Sequence, residues 1–141
     1  MTYTPLTTAS NVQRYYQGVT FSSATTPTSA TVDELISMGT SIIFSGLAST
    51  YLLPISNTDD LLVLRSLCED YVVSCINFIL GKTKIKMPNG FEYTRTNAHL
   101  VNFYGLLDKY IKRELILPNS SQLGDGTNTG TTSYNSSNSV A

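Results

Sequence analysis

Residues 57–81, with the sequence NTDDLLVLRSLCEDYVVSCINFILG, determine the fold that this sequence predicts. Apolar residues recur at spacings of three and four along the stretch, which is the pattern of a helix with a buried face. The apolar stripe comprises Leu61, Leu64, Cys68, Tyr71, Val72, Cys75, Phe78 and Ile79, and it is widened by Leu62, Leu67 and Ile76. We therefore expect a long central helix that is buried on more than one side.

The two ends of this helix carry their own signals. Asn57 or Thr58 can cap its start, and Gly81 is typical of a helix end. Asp59 and Asp60 fall in the first turn, where the positive end of the helix dipole favours acidic side chains. The dipole is thus a sufficient reason for this acidic pair.

A second helix is predicted before it. Thr31 and Glu34 have the spacing of a capping box, and Asp33 adds a further acid near the positive end of the dipole. The apolar stripe that follows comprises Val32, Leu35, Ile36, Gly39, Ile42, Ile43, Gly46 and Leu47. The two glycines lower helix propensity by about 1 kcal/mol each, so we expect a neighbouring helix to pack closely against them. Pro54 ends the element.

Two further helices complete the expected fold. A short helix covers residues 8–17, with Val12, Tyr15 and Tyr16 on one side and Gly18 at its end. A last helix covers residues 96–115, with one face formed by Leu100, Phe103, Leu107, Tyr110, Ile111 and Leu115. The predicted fold class is therefore mainly α: a small bundle of about four helices, with a short β-hairpin or loop between the last two and an extended polar C-terminal arm.

Residues 82–95 break the helical period and are rich in basic residues. Apolar residues alternate around Asn89-Gly90, which favours a β-hairpin turn. Four basic residues, Lys82, Lys84, Lys86 and Arg95, face a single acid, Glu92, so the stretch carries a charge of +3. One interpretation is a solvated hairpin whose lysines prevent edge pairing. The other is a ribbon that contacts DNA or an acidic partner, an effect that a ring of copies would multiply.

Residues 119–141 differ from the body, residues 1–118, which we expect to form one helical domain. Ten of these 23 residues are Ser or Thr, four are Asn and three are Gly. Such a segment buries too little apolar area to order itself. It is therefore either a terminus without a role or an extended arm that docks on a partner by backbone hydrogen bonding, and only Leu123, Tyr134 and Val140 give it sizeable apolar surface.

The composition restricts the classes of protein that fit. The chain has 141 residues, of which 41% are hydrophobic and 13% charged, with a formal net charge of −1. That length suits one domain with its own core, and the charge is unlike that of a sequence-independent DNA-binding domain. No apolar run is long enough to span a bilayer, and the first residues do not form a secretory signal. We expect a soluble intracellular protein.

No residue pattern points to catalysis or to a cofactor. One histidine, His99, and two cysteines, Cys68 and Cys75, do not provide the four closely spaced ligands of a zinc site. The cysteines lie two helical turns apart, too far for a mutual disulfide, and we expect both to be buried. Arg65 lies one helical turn before Glu69 and can neutralise its charge. The Glu69-Asp70 pair is therefore explained without a catalytic role. We expect His99 at the surface or a helix start, and no enzymatic activity, metal or cofactor.

The order of these elements resembles the head–tail connector proteins (adaptor or head-completion proteins) of tailed bacteriophages. The resemblance covers residues 1–115 and is most recognisable over 26–55, from Thr26-Pro27-Thr28 through the second helix to Tyr51-Leu52-Leu53-Pro54-Ile55. It implies a small helical bundle that forms a ring, usually twelve-fold, below the portal and extends the DNA channel. The family offers no residue-level site to carry over.

The resemblance implies a set of partners and a location. The partners would be other copies of the chain, the portal protein, and a stopper or tail protein, with DNA passing through the channel and no membrane involved. The location would be the virion neck, after assembly in the host cytoplasm. We expect residues 119–141 to bind the portal and the 82–95 ribbon to face the lumen or the next ring. The alternatives are a stopper or tail terminator, and a non-viral helical protein-binding module.

Overall fold

The computed structural model describes residues 3–81, 84–86, 88–90, 92–94 and 98–124, and gives the backbone alone for 84–86 and 92–94. Its helices are α1 (Ala9–Val12), continued by a 3₁₀ turn (Gln13–Tyr15), α2 (Ser29–Leu47), α3 (Thr58–Ile79) and α4 (Ala98–Ile111). Strands β1 (Lys84–Lys86) and β2 (Glu92–Thr94) pair antiparallel between α3 and α4. The fold is a mainly α bundle with a short hairpin between its last two helices, as the sequence predicts.

Helix α3 lies at the centre of the bundle, as predicted. The side chain of Asn57 caps it by accepting the backbone N–H of Asp60 at 3.1 Å. Both α2 and α4 pack against it, and α1 contacts it as well. The buried residues of the core come from all of these helices and from the loops: Val12, Val32, Ile36, Ile43, Leu47, Tyr51, Leu64, Cys68, Val72, Ile76, Phe103 and Leu117.

The predicted apolar stripe of α3 is wrong at its C-terminal end. Phe78 and Ile79 are 73% and 43% exposed. His99, in the first turn of α4, contacts Asp70, so α4 begins just past the midpoint of α3. The final turns of α3 therefore extend past the start of the helix that covers the rest of the stripe.

Helix α2 begins earlier than predicted. The side chain of Thr28, not that of Thr31, accepts a backbone N–H at the helix start, namely that of Thr31 at 3.2 Å. Residues 23–27 form a turn and bends, and Thr28 then adopts the extended conformation typical of an N-cap. The predicted capping box at Thr31 and Glu34 is thus wrong, and the Asp33-Glu34 pair lies beyond the first turn.

The two glycines of α2 allow close packing, as predicted. A Cβ atom at Gly39 would lie 2.9 Å from Cδ2 of Tyr71 and 3.1 Å from Sγ of Cys68, both on α3. A Cβ atom at Gly46 would lie 2.9 Å from Cδ1 of Ile111 on α4. The glycines therefore set the spacing between α2 and both of its neighbours.

The first and last helices are shorter than predicted. The stretch expected as a helix over 8–17 divides into α1 and the 3₁₀ turn, and Tyr15 is 44% exposed. Helix α4 ends at Ile111, so Leu115 lies outside it. Arg113, with a φ of 66°, reverses the chain direction soon after the helix end and prevents its continuation.

Candidate functional site

The basic hairpin is one candidate interaction surface. In β1, Lys84 pairs with Thr94 and Lys86 with Glu92, and the exposed turn carries Gly90 with a φ of +88°. Lys82 and Arg95 lie outside the described residues. The prediction of a ribbon at this place is confirmed by the strand pairing, whereas its contact with DNA or protein stays a prediction.

An exposed apolar surface lies directly before the hairpin. Phe78, Ile79 and Leu80 at the end of α3 are 73%, 43% and 39% exposed. Two residues on α4, Val101 and Tyr104, are 59% and 51% exposed. Large apolar side chains this close together in sequence and this open to solvent are typical of surfaces that another protein covers.

Glu69 is the centre of a buried polar network. Glu69 is 2% exposed. Its carboxylate accepts hydrogen bonds from the Thr7 hydroxyl at 2.5 Å, from a guanidinium N–H of Arg14 at 3.2 Å and from the Tyr15 hydroxyl at 3.2 Å. The predicted partner, Arg65, lies 3.8 Å from the same carboxylate. The network fixes the N-terminal segment and the 3₁₀ turn on α3, which is a structural task.

Asp70 links α3 to α4. Its carboxylate lies 3.0 Å from Nδ1 of His99 and accepts the side-chain N–H of Asn102 at 2.6 Å. The ring of Tyr15 packs edge-on against His99, with 6.4 Å between the ring centroids. Burial, and then the negative charge of Glu69, raise the pKa of Tyr15. His99 lies in the first turn of α4 with its side chain partly exposed, as predicted.

Asp60 binds the start of the C-terminal segment. It is 1% exposed, and its carboxylate accepts the backbone N–H of Asn119 at 3.0 Å, the side-chain N–H of Asn119 at 3.3 Å and the hydroxyl of Ser120 at 2.5 Å. The position of Asp60 in the first turn of α3 therefore suits the helix dipole and also holds the C-terminal segment. Asp60 holds a segment that lies 59 residues further along the chain.

Residues 121–123 continue this contact through an isolated antiparallel bridge. The N–H of Leu52 donates to the carbonyl of Ser121 at 2.9 Å, and the N–H of Leu123 donates to the carbonyl of Thr50 at 2.7 Å. Gln122 stands opposite Tyr51 in an antiparallel bridge. Leu123, predicted to contact a portal, therefore contacts its own helical body, whereas Tyr134 and Val140 lie outside the described residues.

Two side chains secure the same segment from its ends. The hydroxyl of Tyr51 accepts the N–H of Leu117 at 2.9 Å, and Leu117 is buried. A guanidinium N–H of Arg113 donates to the carbonyl of Leu123 at 2.9 Å. Burial raises the pKa of Tyr51, so its hydroxyl stays protonated across the neutral range. We call residues 117–123 the latch segment.

An apolar groove of about 570 Å³ lies between the N-terminal segment, α2 and the loop before α3. Most of its lining is apolar: Tyr3, Pro5, Leu6, Phe44, Leu53, Pro54, Ile55 and Leu61. The rings of Tyr3 and Phe44 pack against each other at an angle of 36°, with 5.0 Å between their centroids. The groove has the volume and lining of a site for an apolar ligand or peptide side chain.

The two cysteine thiols are free and stay protonated. Burial raises the pKa of Cys68 to about 11, and burial also raises the pKa of Cys75. Since the thiolate is the reactive form, neither thiol is activated as a nucleophile. Cys68 is buried as predicted, and Cys75 is half-buried.

Among the described side chains, no cluster of three or more His, Cys, Asp or Glu residues is arranged to hold a metal ion. Within the described parts of the chain, no helix combines the length and apolar character that crossing a membrane requires.

Comparison of the chain with protein-family models, with curated protein sequences and with solved structures found no match. The geometry alone therefore supplies the structural argument for function. It brings the predicted basic ribbon next to an exposed apolar helix end, and it separates both from the latch segment. Sequence reasoning missed Glu69 and Asp60 as buried anchors. The signal for Glu69 was its position among apolar residues on a helix predicted to be buried on several sides.

Proposed function

We propose that the protein is a head–tail adaptor of a tailed bacteriophage. Copies of the chain form a ring below the portal, extend the DNA channel and join the capsid vertex to the stopper or tail. The protein acts through its surfaces, without catalysis, and belongs to the virion neck after assembly in the host cytoplasm.

The observation that carries the proposal is the exposed apolar end of α3 followed directly by the basic hairpin. A ring subunit needs lateral apolar surface for its neighbours, and Phe78 is the most exposed of the large apolar residues whose side chains the structure describes. A charge of +3 on each hairpin would be multiplied around the ring. The resemblance of residues 1–115 to adaptor proteins supports the same assignment.

The test is to mix the purified full-length chain with the portal ring of the same phage and to image the product by electron microscopy. We expect a ring of added density on one face of the portal. A portal that remains bare at high concentrations of the chain would contradict the proposal.

A matched pair of variants sharpens this experiment. Phe78→Asp places a charge on the proposed lateral surface, whereas Met38→Asp places one on an exposed site of α2 that is 52% open to solvent. We expect Phe78→Asp to abolish the ring and Met38→Asp to leave it. If the two variants formed the ring to the same extent, the end of α3 would not be part of the interface between subunits.

Two alternatives differ in observable ways. A stopper or tail terminator would bind a different part of the neck, and such proteins are more often β-rich, whereas this fold is mainly helical. A helical binding module would use the apolar groove near Phe44 and would remain a monomer or dimer with no affinity for a portal.

A further inference from the structure

The latch segment is bound through contacts that do not depend on its belonging to the same chain. Its acceptor consists of the Tyr51 hydroxyl, the backbone of Thr50 and Leu52, and the carboxylate of Asp60. All of these groups belong to the α2–α3 connection or to the first turn of α3. The equivalent segment of a second copy has the same sequence and so fits the same acceptor.

The connection between α4 and the latch segment is short and strained. Arg113 adopts a φ of 66°, a left-handed conformation that costs a residue with a side chain about 1 kcal/mol or more. This conformation turns the chain back onto its own body. Short connections under strain are those that favour exchange of a segment between copies, because an extended connection relieves the strain.

Exposed apolar residues lie within this connection and in the acceptor. Ile116 is 55% exposed and Leu115 is 37% exposed, both within the connection. Leu52, in the acceptor itself, is 60% exposed. These side chains are exposed although the latch segment is in place, so only contact between the bodies of two copies at this connection would remove them from water, a gain that the isolated chain does not obtain.

We propose that copies of this chain exchange their latch segments: residues 117–123 of one copy bind Tyr51, Thr50, Leu52 and Asp60 of the next. Each hydrogen bond lost within a chain is regained between chains, so the exchange costs little beyond association itself. An exchange in which each copy gives its segment to one neighbour and accepts from the other is head-to-tail, and such a contact forms a closed ring where the rotation between copies divides the full circle. The inference rests on the proposed self-association and specifies how it is achieved.

The test uses the full chain with Gln122, an exposed latch residue, replaced by the photoreactive amino acid p-benzoylphenylalanine. Unlabelled and ¹⁵N-labelled chains are mixed, brought together with the portal ring, and irradiated. Cross-linked peptides from the assembled fraction are then identified by mass spectrometry. We expect cross-links to the peptide containing residues 50–52, with unlabelled and labelled partners joined in statistical proportion.

The outcomes separate the exchange from the adaptor function. A ring whose cross-links to residues 50–52 join only partners of the same label would overturn the exchange and leave the adaptor proposal standing. Absence of any assembly, alone or with the portal, would overturn both. The same photoreactive group at Lys109, an exposed position on α4, reports random collisions and should give no cross-link to residues 50–52.

A hinge variant gives an independent readout. Arg113→Gly removes the strain of the positive φ and should shift self-association to about fivefold higher concentrations, measured by analytical ultracentrifugation. Arg113→Lys also lacks the guanidinium but keeps the strain, so it is the matched control. Equal association by the two variants would show that strain in the connection does not drive the exchange.

Discussion

The carboxylate of Asp60, in the first turn of α3, accepts the backbone N–H of Asn119 at 3.0 Å, across 59 residues of sequence. Asp59, its immediate neighbour, is exposed and has no comparable contact among the described residues. Two adjacent acids with the same relation to the helix dipole thus differ in their tertiary role.

Asp60→Asn should destabilise the protein and release the latch segment. The amide replaces one of the two carboxylate oxygens with an NH2 group, so at least one part-buried donor of Asn119 or Ser120 loses its acceptor, at a cost of about 1–3 kcal/mol. Chemical denaturation measures the loss, and hydrogen exchange at 119–123 locates it. Asp59→Asn, the control, should change stability by at most about 1 kcal/mol. If the two substitutions lowered stability equally, the helix dipole alone would explain the contribution of Asp60 to stability.

Two truncations should separate the latch segment from the rest of the arm. Removing 125–141 should leave the unfolding midpoint near that of the full chain, because every described contact of the segment is retained. Removing 119–141 should lower it, since the hydrogen bonds of Asn119 and Ser120 to Asp60 and those of residues 121–123 to residues 50–52 are lost. If the arm binds the portal, both truncations lose that binding. If the chain without 125–141 still bound the portal, Tyr134 and Val140 would have no part in portal binding.

Gly39→Ala should destabilise the bundle. The new methyl group would lie 2.9 Å from the Tyr71 ring, and overpacking of this kind costs about 1–3 kcal/mol. Gly105→Ala on α4 is the control, because nothing lies within 4 Å of the new atom, and it should stabilise by up to about 1 kcal/mol. Urea unfolding of both variants measures the difference. A stabilised Gly39→Ala variant would show that α2 and α3 can separate freely.

Stability should fall at alkaline pH partly through Tyr16. Burial raises the pKa of its hydroxyl to about 12, above the 10.0 of an exposed tyrosine. The unfolded chain therefore releases this proton first, so the stabilisation is complete below pH 10 and is lost between pH 10 and 12. The loss is about 1.4 kcal/mol per pH unit.

Tyr16→Phe should flatten this part of the stability curve, measured by denaturant unfolding at a series of pH values. It should also cost about 0.5–1.5 kcal/mol at pH 7, because the hydroxyl donates to Val73 and contacts Asn77. Tyr71 and Cys68, with pKa values raised by burial to about 12 and about 11, leave a residual slope. An unchanged slope in Tyr16→Phe would show that its proton is not linked to folding.

Charge reversal of Lys82, Lys84 and Lys86 to Glu should impair DNA retention or tail joining, with the unfolding temperature near that of the parent chain. Three basic residues of the ribbon become acidic, so its field changes sign. Particle yield and infectivity measure the effect. As a control, the single substitutions Lys109→Glu, at an exposed position of α4, and Lys84→Glu alter the net charge equally. Comparing them separates the position of the charge from the change in net charge. Normal particles with all three lysines reversed would show that the ribbon touches neither DNA nor a neck protein.

Local signals in the sequence predicted most of the bundle. Asn57 and Gly81 mark the ends of α3, Gly39 and Gly46 mark close helix contacts, and each depends on a few neighbouring residues. The turn at residues 89–90 was equally readable, because glycine there adopts the positive φ that the turn requires.

The anchors were not predictable in the same way. Asp60 has the pattern that is ordinary at a helix start. Its burial depends on a segment 59 residues away, and the polar composition of that segment does not predict that it packs on the helices. Thr28 was missed as the cap because Thr31 offered a better-known pattern only three residues later. Local pattern thus identified the helices, while long-range hydrogen bonds determined the sites.

The hairpin's charge has a consequence for how the molecule orients. The chain as a whole carries −1 while residues 82–95 carry +3, so the remainder carries −4 and the protein is an electric dipole. If copies stand side by side around an axis, the components of their dipoles along that axis add and the perpendicular components cancel. Such an array would present a positive pole and a negative pole to whatever approaches along the axis. Raising the ionic strength would weaken that orientation beyond about 10 Å.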